Sequence, residues 1–181
     1  MSELSHGKRF MPSVSVSVDI KAPLDRVWEA AADLAGHGQW MADVESISFD
    51  SASRQGDGAI MRVATRVGPF RTTDLMTVTA WEPRRRIAVE HRGLFKGRGE
   101  FTLSPVGGAT RFTWTEQVDF PWHFGGPIGA AIARPILSRI WLGNLRRLRA
   151  LLENPTPQSP DVLLLDPLSA VEGGRSLFEK R

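Results

Sequence analysis

The first regular pattern in the chain is a strict alternation of polar and apolar residues. From Ser13 to Ile20 the sequence reads SVSVSVDI, with an apolar residue at every second position. Side chains of a strand point alternately to its two faces, so this pattern predicts a half-buried β-strand. The next segment, PLDRVWEAAADL, has apolar residues three and four positions apart after Pro23, which predicts a short amphipathic helix. Gly36 and Gly38 should end this helix, and HGQWMADV should add one helical turn carrying Trp40.

The middle of the chain predicts a series of strands joined by short turns. Between Val44 and about Phe120, the turn-forming segments SRQGDG, GPF, EPRR, GLFKG and PVGGA separate six apolar runs. Short links favour antiparallel neighbours, so six consecutive strands are expected here.

The last regular element is predicted to be a long helix from near Pro127 to about Glu153. Its apolar residues recur at helical spacing, whereas Pro135 has no amide hydrogen and should kink the helix. The apolar stripe consists of Leu137, Ile140, Trp141, Leu145, Leu148 and Leu152.

Together these elements predict an α+β fold. We expect a seven-stranded curved antiparallel sheet around a long C-terminal helix, with two short helices after the first strand. A chain of 181 residues favours one core. We therefore expect one domain over residues 13–153, an N-terminal extension over residues 1–12, and a proline-rich linker and tail over residues 154–181. The tail is either loosely ordered or docks through its leucines 163–165.

Composition excludes several classes of function. The chain has no cysteine, which excludes disulfides and thiolate chemistry, and its four histidines lie in unrelated segments, so no metal site or cofactor is expected. A net charge of +3, with arginines scattered along the chain, gives no reason to expect nucleic acid as a partner. The sequence also lacks an apolar run of membrane-spanning length and a signal-peptide pattern, so a cytoplasmic location is expected.

Two segments carry a resemblance to a known family. One is VSVSVDIKAPLDRVWEAAADLAGHGQWMADV, with Pro23, Val27, Trp28, Asp33 and Trp40, and the other is GGPIGAAIARPILSRIWLGNLRRLRALLE. Over about residues 13–153 the chain resembles the START-like, or pollen-allergen-like (SRPBCC), superfamily, in particular its polyketide cyclase/dehydrase and lipid transport branch. The resemblance implies a helix-grip fold and a hydrophobic ligand such as a lipid, polyketide, quinone or hormone. It implies no particular reaction, because many members have none demonstrated.

Strand parity places polar residues on otherwise apolar inner faces. The face that looks toward the helix should be the mostly apolar one. In TRFTWTEQVDF that face includes Glu116, and in RRIAVEHRG it includes His91. Matching the faces predicts that His91 lies opposite Gly99 and Gly99 opposite Glu116. The two Cα atoms would then be roughly 10 Å apart, with no side chain between them.

A third polar residue, Asp74, has two alternative positions. It lies inward if the inner face of RTTDLMTVTAW continues through Met76, and outward under the opposite parity, with Leu75 and Trp81 inward. The first alternative, which we favour, also places Phe70, Val78 and Ala80 on the inner face.

The favoured function is binding of a hydrophobic or amphipathic small molecule in an internal cavity, as a carrier or sensor. Trp122 and Phe124, in FPWHFGGPIG, are expected at the cavity mouth. The full set of expected ligand contacts is Asp74, Met76, Val89, Phe101, Phe112, Trp114, Trp122, Phe124, Trp141 and Asn144.

Two alternatives remain open. One is a polyketide cyclase or dehydratase in which His91 and Glu116 form an acid/base pair, because burial raises the pKa of a carboxyl group and a nearby carboxylate raises that of histidine. The other, less favoured, is a peripheral membrane or protein-interaction module that uses the arginine-bearing helix face and the tail. The sequence gives no indication of oligomeric state.

Overall fold

The computed structural model describes residues 13–93, 96–119 and 125–154. It contains seven strands: β1 (Ser13–Ile20), β2 (Val44–Phe49), β3 (Ile60–Val67), β4 (Phe70–Glu82), β5 (Arg86–Arg92), β6 (Lys96–Val106) and β7 (Ala109–Asp119). The helices are α1 (Leu24–Ala32), a short 3-10 helix (Leu34–Gln39) and α2 (Gly126–Glu153).

The strands form one antiparallel sheet in the order β1-β7-β6-β5-β4-β3-β2. Strands β2 to β7 follow one another as a meander, and β1 pairs with β7 along its whole length. The two short helices therefore connect opposite edges of the sheet, while α2 packs mainly against β1 and also against β7. This arrangement confirms the predicted α+β helix-grip fold.

The inner face of the sheet carries two apolar clusters. The larger cluster joins α2 and α1 to β1, β6 and β7, and includes the fully buried Phe112, Leu145 and Val27. The smaller one lies on β2, β3 and β4, and half-buried residues such as Met76 and Val89 pack at its border. The half of the sheet away from α2 is thus less completely covered than the half beneath it.

Alternating parity holds along β4 only as far as a bulge. The register between β4 and β5 shifts between Val78 and Ala80, and an extra residue in one strand reverses the faces beyond it. Trp81 therefore packs inward, with its ring 5.4 Å from that of Trp28. The expected inward position of Ala80 is wrong for this reason. Phe70, at the other end of β4, shares the parity of Asp74 but is 64% exposed, so it does not contribute to the buried inner face.

The helices differ from the sequence prediction in one detail. Helix α1 already ends at Ala32, and Gly36 and Gly38 lie within the following 3-10 helix rather than between two helices. Asp33 starts that 3-10 helix, because its side chain accepts a hydrogen bond from the amide of Gly36 at 3.1 Å. Helix α2 is continuous through Pro135, and the kink there stays a prediction. In the part of the chain that the structure describes, no helix is long and apolar enough to cross a membrane.

Candidate functional site

Three titratable side chains from three different strands meet on the inner face of the sheet. Asp74 of β4 and Glu116 of β7 are each only 6% exposed, and the side chain of His91 of β5 is 13% exposed. We call these three residues the polar cluster. Charged groups rarely lie this deep without a partner or a function.

Glu116 is held above a glycine of the neighbouring strand. It pairs with Gly99 of β6, and its Oε1 accepts a hydrogen bond from the indole Nε1 of Trp114 at 2.8 Å. A Cβ atom at position 99 would lie 2.5 Å from that Oε1. The carboxylate therefore occupies the space that a side chain on β6 would fill.

His91 reaches Glu116 along a diagonal of the sheet. It pairs with Gly97, while Gly99 pairs with Val89, so the predicted row of His91, Gly99 and Glu116 is wrong by two residues. A two-residue shift preserves parity, which is why His91 still points inward. Its Nε2 lies 3.3 Å from Glu116 Oε2.

The surroundings of His91 favour its charged form. Burial by itself lowers the pKa of an imidazole, but contact with Glu116, the charge of Glu116 and the charge of Asp74 together raise the pKa of His91 above its ordinary value. These acidic neighbours on β4 and β7 therefore stabilise the protonated form of the His91 imidazole.

Asp74 completes the polar cluster from the other side of His91. It pairs with Val63 of β3, one inward position along β4 from Met76, which pairs with His91. Its Oδ1 leans over Gly93, where a Cβ atom would collide with it, and Thr72 Oγ1 donates to its Oδ2 at 3.5 Å. The structure thus places Asp74 on the inner face, the first of the two alternatives.

One buried polar atom of each residue has no hydrogen-bond partner within the described residues. These atoms are Asp74 Oδ1, His91 Nε2 and Glu116 Oε2; the last two are close enough for an ion pair but not aligned as a hydrogen bond. Among residues 13–93, 96–119 and 125–154, no group of three or more histidine, cysteine or acidic side chains is placed to hold a metal. These three buried atoms of the polar cluster therefore keep unused hydrogen-bonding capacity for a ligand or water that enters between them.

Aromatic rings form the apolar wall beside the polar cluster. Trp114 packs edge-on against Phe101, with ring centroids 5.2 Å apart, and stacks on Trp141 of α2 at 5.4 Å. Phe101 and the border residues Met76 and Val89 are half-buried and are therefore reachable by a ligand. Phe112, by contrast, is fully buried, so it serves the core rather than the surface that a ligand touches.

Asn144, one of the expected ligand contacts, makes structural hydrogen bonds from the buried side of α2. Its side chain is fully buried. Its Oδ1 accepts hydrogen bonds from the amide of Ala42 and from Arg147, and its Nδ2 donates to Asp43 at 2.6 Å. These bonds tie α2 to the segment before β2, occupy both acceptor positions of Oδ1 and use one of the two N–H donors of Nδ2. The two expected mouth residues, Trp122 and Phe124, lie outside the described residues.

Sequence reasoning missed a second buried histidine. The Nε2 of His37 lies 2.9 Å from the carbonyl oxygen of Ala31, and its ring packs between Trp40 and Phe101. Burial is the main cause that lowers the pKa of His37, to about 4. It is thus a neutral core residue. Its burial could not be predicted from the sequence, because a 3-10 turn has too few residues for an apolar periodicity to show which side is buried.

A groove of about 610 Å³ lies beside the polar cluster at the ends of β5, β6 and β7. Of the described residues that line it, His91 and Gly97 belong to the inner face. The others are charged or polar: Glu90, Arg92, Lys96, Arg98, Gln117 and Asp119. This lining does not suit a hydrophobic ligand, so we place the candidate site on the inner face instead.

Fold and site together define a class of protein: a helix-grip domain with a mostly apolar inner face and one polar cluster. A comparison with models of known protein families identifies one family. The chain belongs to the polyketide cyclase / dehydrase and lipid transport family, whose model matches residues 11–153. This confirms the resemblance seen in the sequence. The family supports a role in ligand binding or in cyclisation.

Solved structures show the same fold at low sequence identity. A START superfamily protein from Mycobacterium smegmatis has a TM-score of 0.67 and 15% identity, over 80% of this chain and 99% of that chain. The Zhui aromatase/cyclase from Streptomyces sp. R1128 has a TM-score of 0.63 and 20% identity, over 80% and 94% of the two chains. A comparison with curated protein sequences gave no match.

Proposed function

We propose that the chain binds an amphipathic small molecule on the inner face of its sheet, as a carrier or sensor. The apolar part of the ligand would lie on the aromatic wall and on the half-buried Met76 and Val89. Its polar end would meet the polar cluster. The observation that carries the proposal is a set of three buried polar atoms in the polar cluster that make no hydrogen bond within the described residues, on an otherwise apolar surface.

The energetics favour this assignment over a purely structural role. A buried polar atom without a hydrogen bond destabilises a fold by about 1 to 3 kcal/mol. Glu116 Oε1 already accepts a hydrogen bond from Trp114. Glu116 Oε2 and His91 Nε2 lie 3.3 Å apart without an aligned hydrogen bond, and Asp74 Oδ1 accepts none from a described residue. A ligand hydroxyl or carbonyl group placed between them would recover much of that free energy on binding.

The first test is to identify what the native protein carries. Protein purified without detergent is extracted with organic solvent, and the extract is analysed by mass spectrometry. We expect a reproducible amphipathic compound in amounts close to that of the protein. Preparations that release no such compound, and that also fail to take up an apolar fluorescent dye, would contradict the proposal.

A variant that fills the site gives the matched test. Val89→Trp adds a large side chain at a half-buried inner position, whereas Thr79→Trp adds the same side chain at an exposed position of β4. Dye uptake should fall at least about tenfold in the first variant and stay unchanged in the second. Equal uptake by both variants would place the dye elsewhere on the molecule.

A second candidate function is a cyclase or dehydratase, favoured by the contact of His91 with Glu116 at 3.3 Å. In a dehydration, the Glu116 carboxylate would take a proton from a carbon beside a carbonyl group. The His91 imidazolium would give its proton to the leaving hydroxyl, which departs as water. His91→Ala and Glu116→Gln should then abolish turnover of a polyketide-like substrate while the fold is retained. Turnover that survives both changes would exclude this mechanism.

A further inference from the structure

In the polar cluster, acidic groups outnumber basic ones. It contains two carboxyl groups and one imidazole, so with both carboxyl groups ionised one negative charge remains even when His91 is protonated. Within the described residues, the inner faces of β4, β5, β6 and β7 carry no lysine or arginine, and the arginines of α2 are exposed. No cation beyond His91 is thus placed to balance a second anion on these strands.

Three atoms without a hydrogen bond specify what a ligand must offer, and two of them form the 3.3 Å contact of His91 with Glu116, where a ligand hydroxyl would insert. Asp74 Oδ1 and Glu116 Oε2 only accept hydrogen bonds when ionised, whereas His91 Nε2 donates one when protonated. The Trp114 indole, a further donor beside the polar cluster, is already used by Glu116. A polar end that complements this set has two donors and at least one acceptor.

We infer that the polar cluster selects a ligand whose polar end is uncharged and carries at least two hydroxyl groups, and that it rejects a carboxylate. This inference rests on the proposed function. Two hydroxyl groups donate to the two carboxylates, and one of their oxygens accepts from His91. A ligand carboxylate offers no donor and brings a negative charge next to two others, where burial weakens solvent screening. Fatty acids therefore fit the apolar wall but not the polar cluster.

Three probes that share one alkyl chain test the inference in the unmodified protein. Decane-1,2-diol, 1-decanol and decanoate are titrated at pH 7, and binding is followed by quenching of tryptophan fluorescence, since Trp114 and Trp141 lie beside the site. We expect the diol to bind at least about tenfold more tightly than decanoate, with the alcohol between them. Decanoate binding as tightly as the diol would overturn the inference.

A double variant tests the role of charge directly. Asp74→Asn combined with Glu116→Gln keeps both shapes, removes both negative charges and adds two donors. It should weaken diol binding and strengthen decanoate binding, each by about tenfold. The matched control is Glu90→Gln, because Glu90 neighbours His91 in β5 but pairs with Arg98 on the outer face. An unchanged preference in the double variant, with a native circular dichroism spectrum, would overturn the inference.

The apolar fluorescent dye used to test the proposed function also separates this inference from that function. If the dye binds but none of the three probes does, the proposed site stands and the inference about hydroxyl groups fails. If neither dye nor probes bind, the proposed function fails and the inference fails with it.

Discussion

Adding a single methyl group at Gly99 should disturb the whole polar cluster. A Cβ atom there would lie 2.5 Å from Glu116 Oε1 and 3.0 Å from both its Cδ and its Oε2. The carboxylate is the free end of its side chain, so it can move, but moving breaks its hydrogen bond with Trp114 and its contact with His91. Gly99→Ala thus tests how the site is built without removing any of its polar groups.

The expected cost of Gly99→Ala follows from these contacts. Loss of a buried hydrogen bond to a charged group destabilises by about 1.5 to 3 kcal/mol. Replacing a strand glycine by alanine returns about 0.5 to 1 kcal/mol, because the unfolded chain has less entropy to lose. The net change in the free energy of unfolding should be a loss of about 1 to 2 kcal/mol. The pKa of His91 should also fall, since its main raising partner has moved away.

Urea unfolding and NMR measure both effects. The control is Gly143→Ala, where an added Cβ atom meets nothing within 4 Å and should raise helix stability by about 0.5 to 1 kcal/mol. The indole NH resonance of Trp114 and the titration of His91 report the position of the carboxylate. If Gly99→Ala changes neither of these signals nor the stability, Gly99 does not position Glu116.

Three further predictions concern the two buried histidines and the helix anchor. Burial lowers the pKa of His37 to about 4, so its contribution to the free energy of unfolding should be full above pH 6.5 and fall by about 3 kcal/mol as the pH drops toward 4. Urea midpoints of wild type and His37→Gln between pH 7 and pH 4 measure this loss. The same dependence of the midpoint on pH in both proteins would contradict it. The raised pKa of His91 gives a pH dependence of stability with the opposite sign: its contribution is full below pH 6.5 and is lost as the pH rises through the raised pKa. Glu116→Gln should lower the pKa of His91, measured by NMR titration. An unchanged pKa would exclude the pairing of His91 with Glu116. Asn144→Ala removes the hydrogen-bond acceptor of the Ala42 amide and should lower the free energy of unfolding, measured with urea, by about 2 to 4 kcal/mol. A loss below about 0.5 kcal/mol would show that Asn144 does not anchor α2.

Which residues face inward was largely legible in the sequence. His91 and Glu116 were assigned to the inner face from alternation alone, and the structure places both there. Parity is a local property, because side chains alternate along a strand whatever its neighbours are. The alternation of inner and outer side chains is interrupted beyond Val78, because a bulge adds one residue there and the sequence pattern does not show it.

Which residues touch one another was decided only by the tertiary structure. The pairing of His91 with Gly97 depends on how the hairpin between β5 and β6 closes, and a two-residue slip leaves every side chain on its own face. The repeated glycines of GLFKGRG were visible in the sequence, but their purpose was not, since Gly93 and Gly99 make room for carboxylates of other strands.

Asn144 of α2 is a second case in which the sequence predicts the buried side of an element but not the residues that it contacts. Its spacing placed it correctly on the buried side of α2, but its partners Ala42 and Asp43 lie about a hundred residues earlier in the chain. The sequence alone therefore determined the elements, their order and the inner face of most strands. Register, bulges and long-range hydrogen bonds were fixed by packing between distant segments, and these contacts assemble the polar cluster.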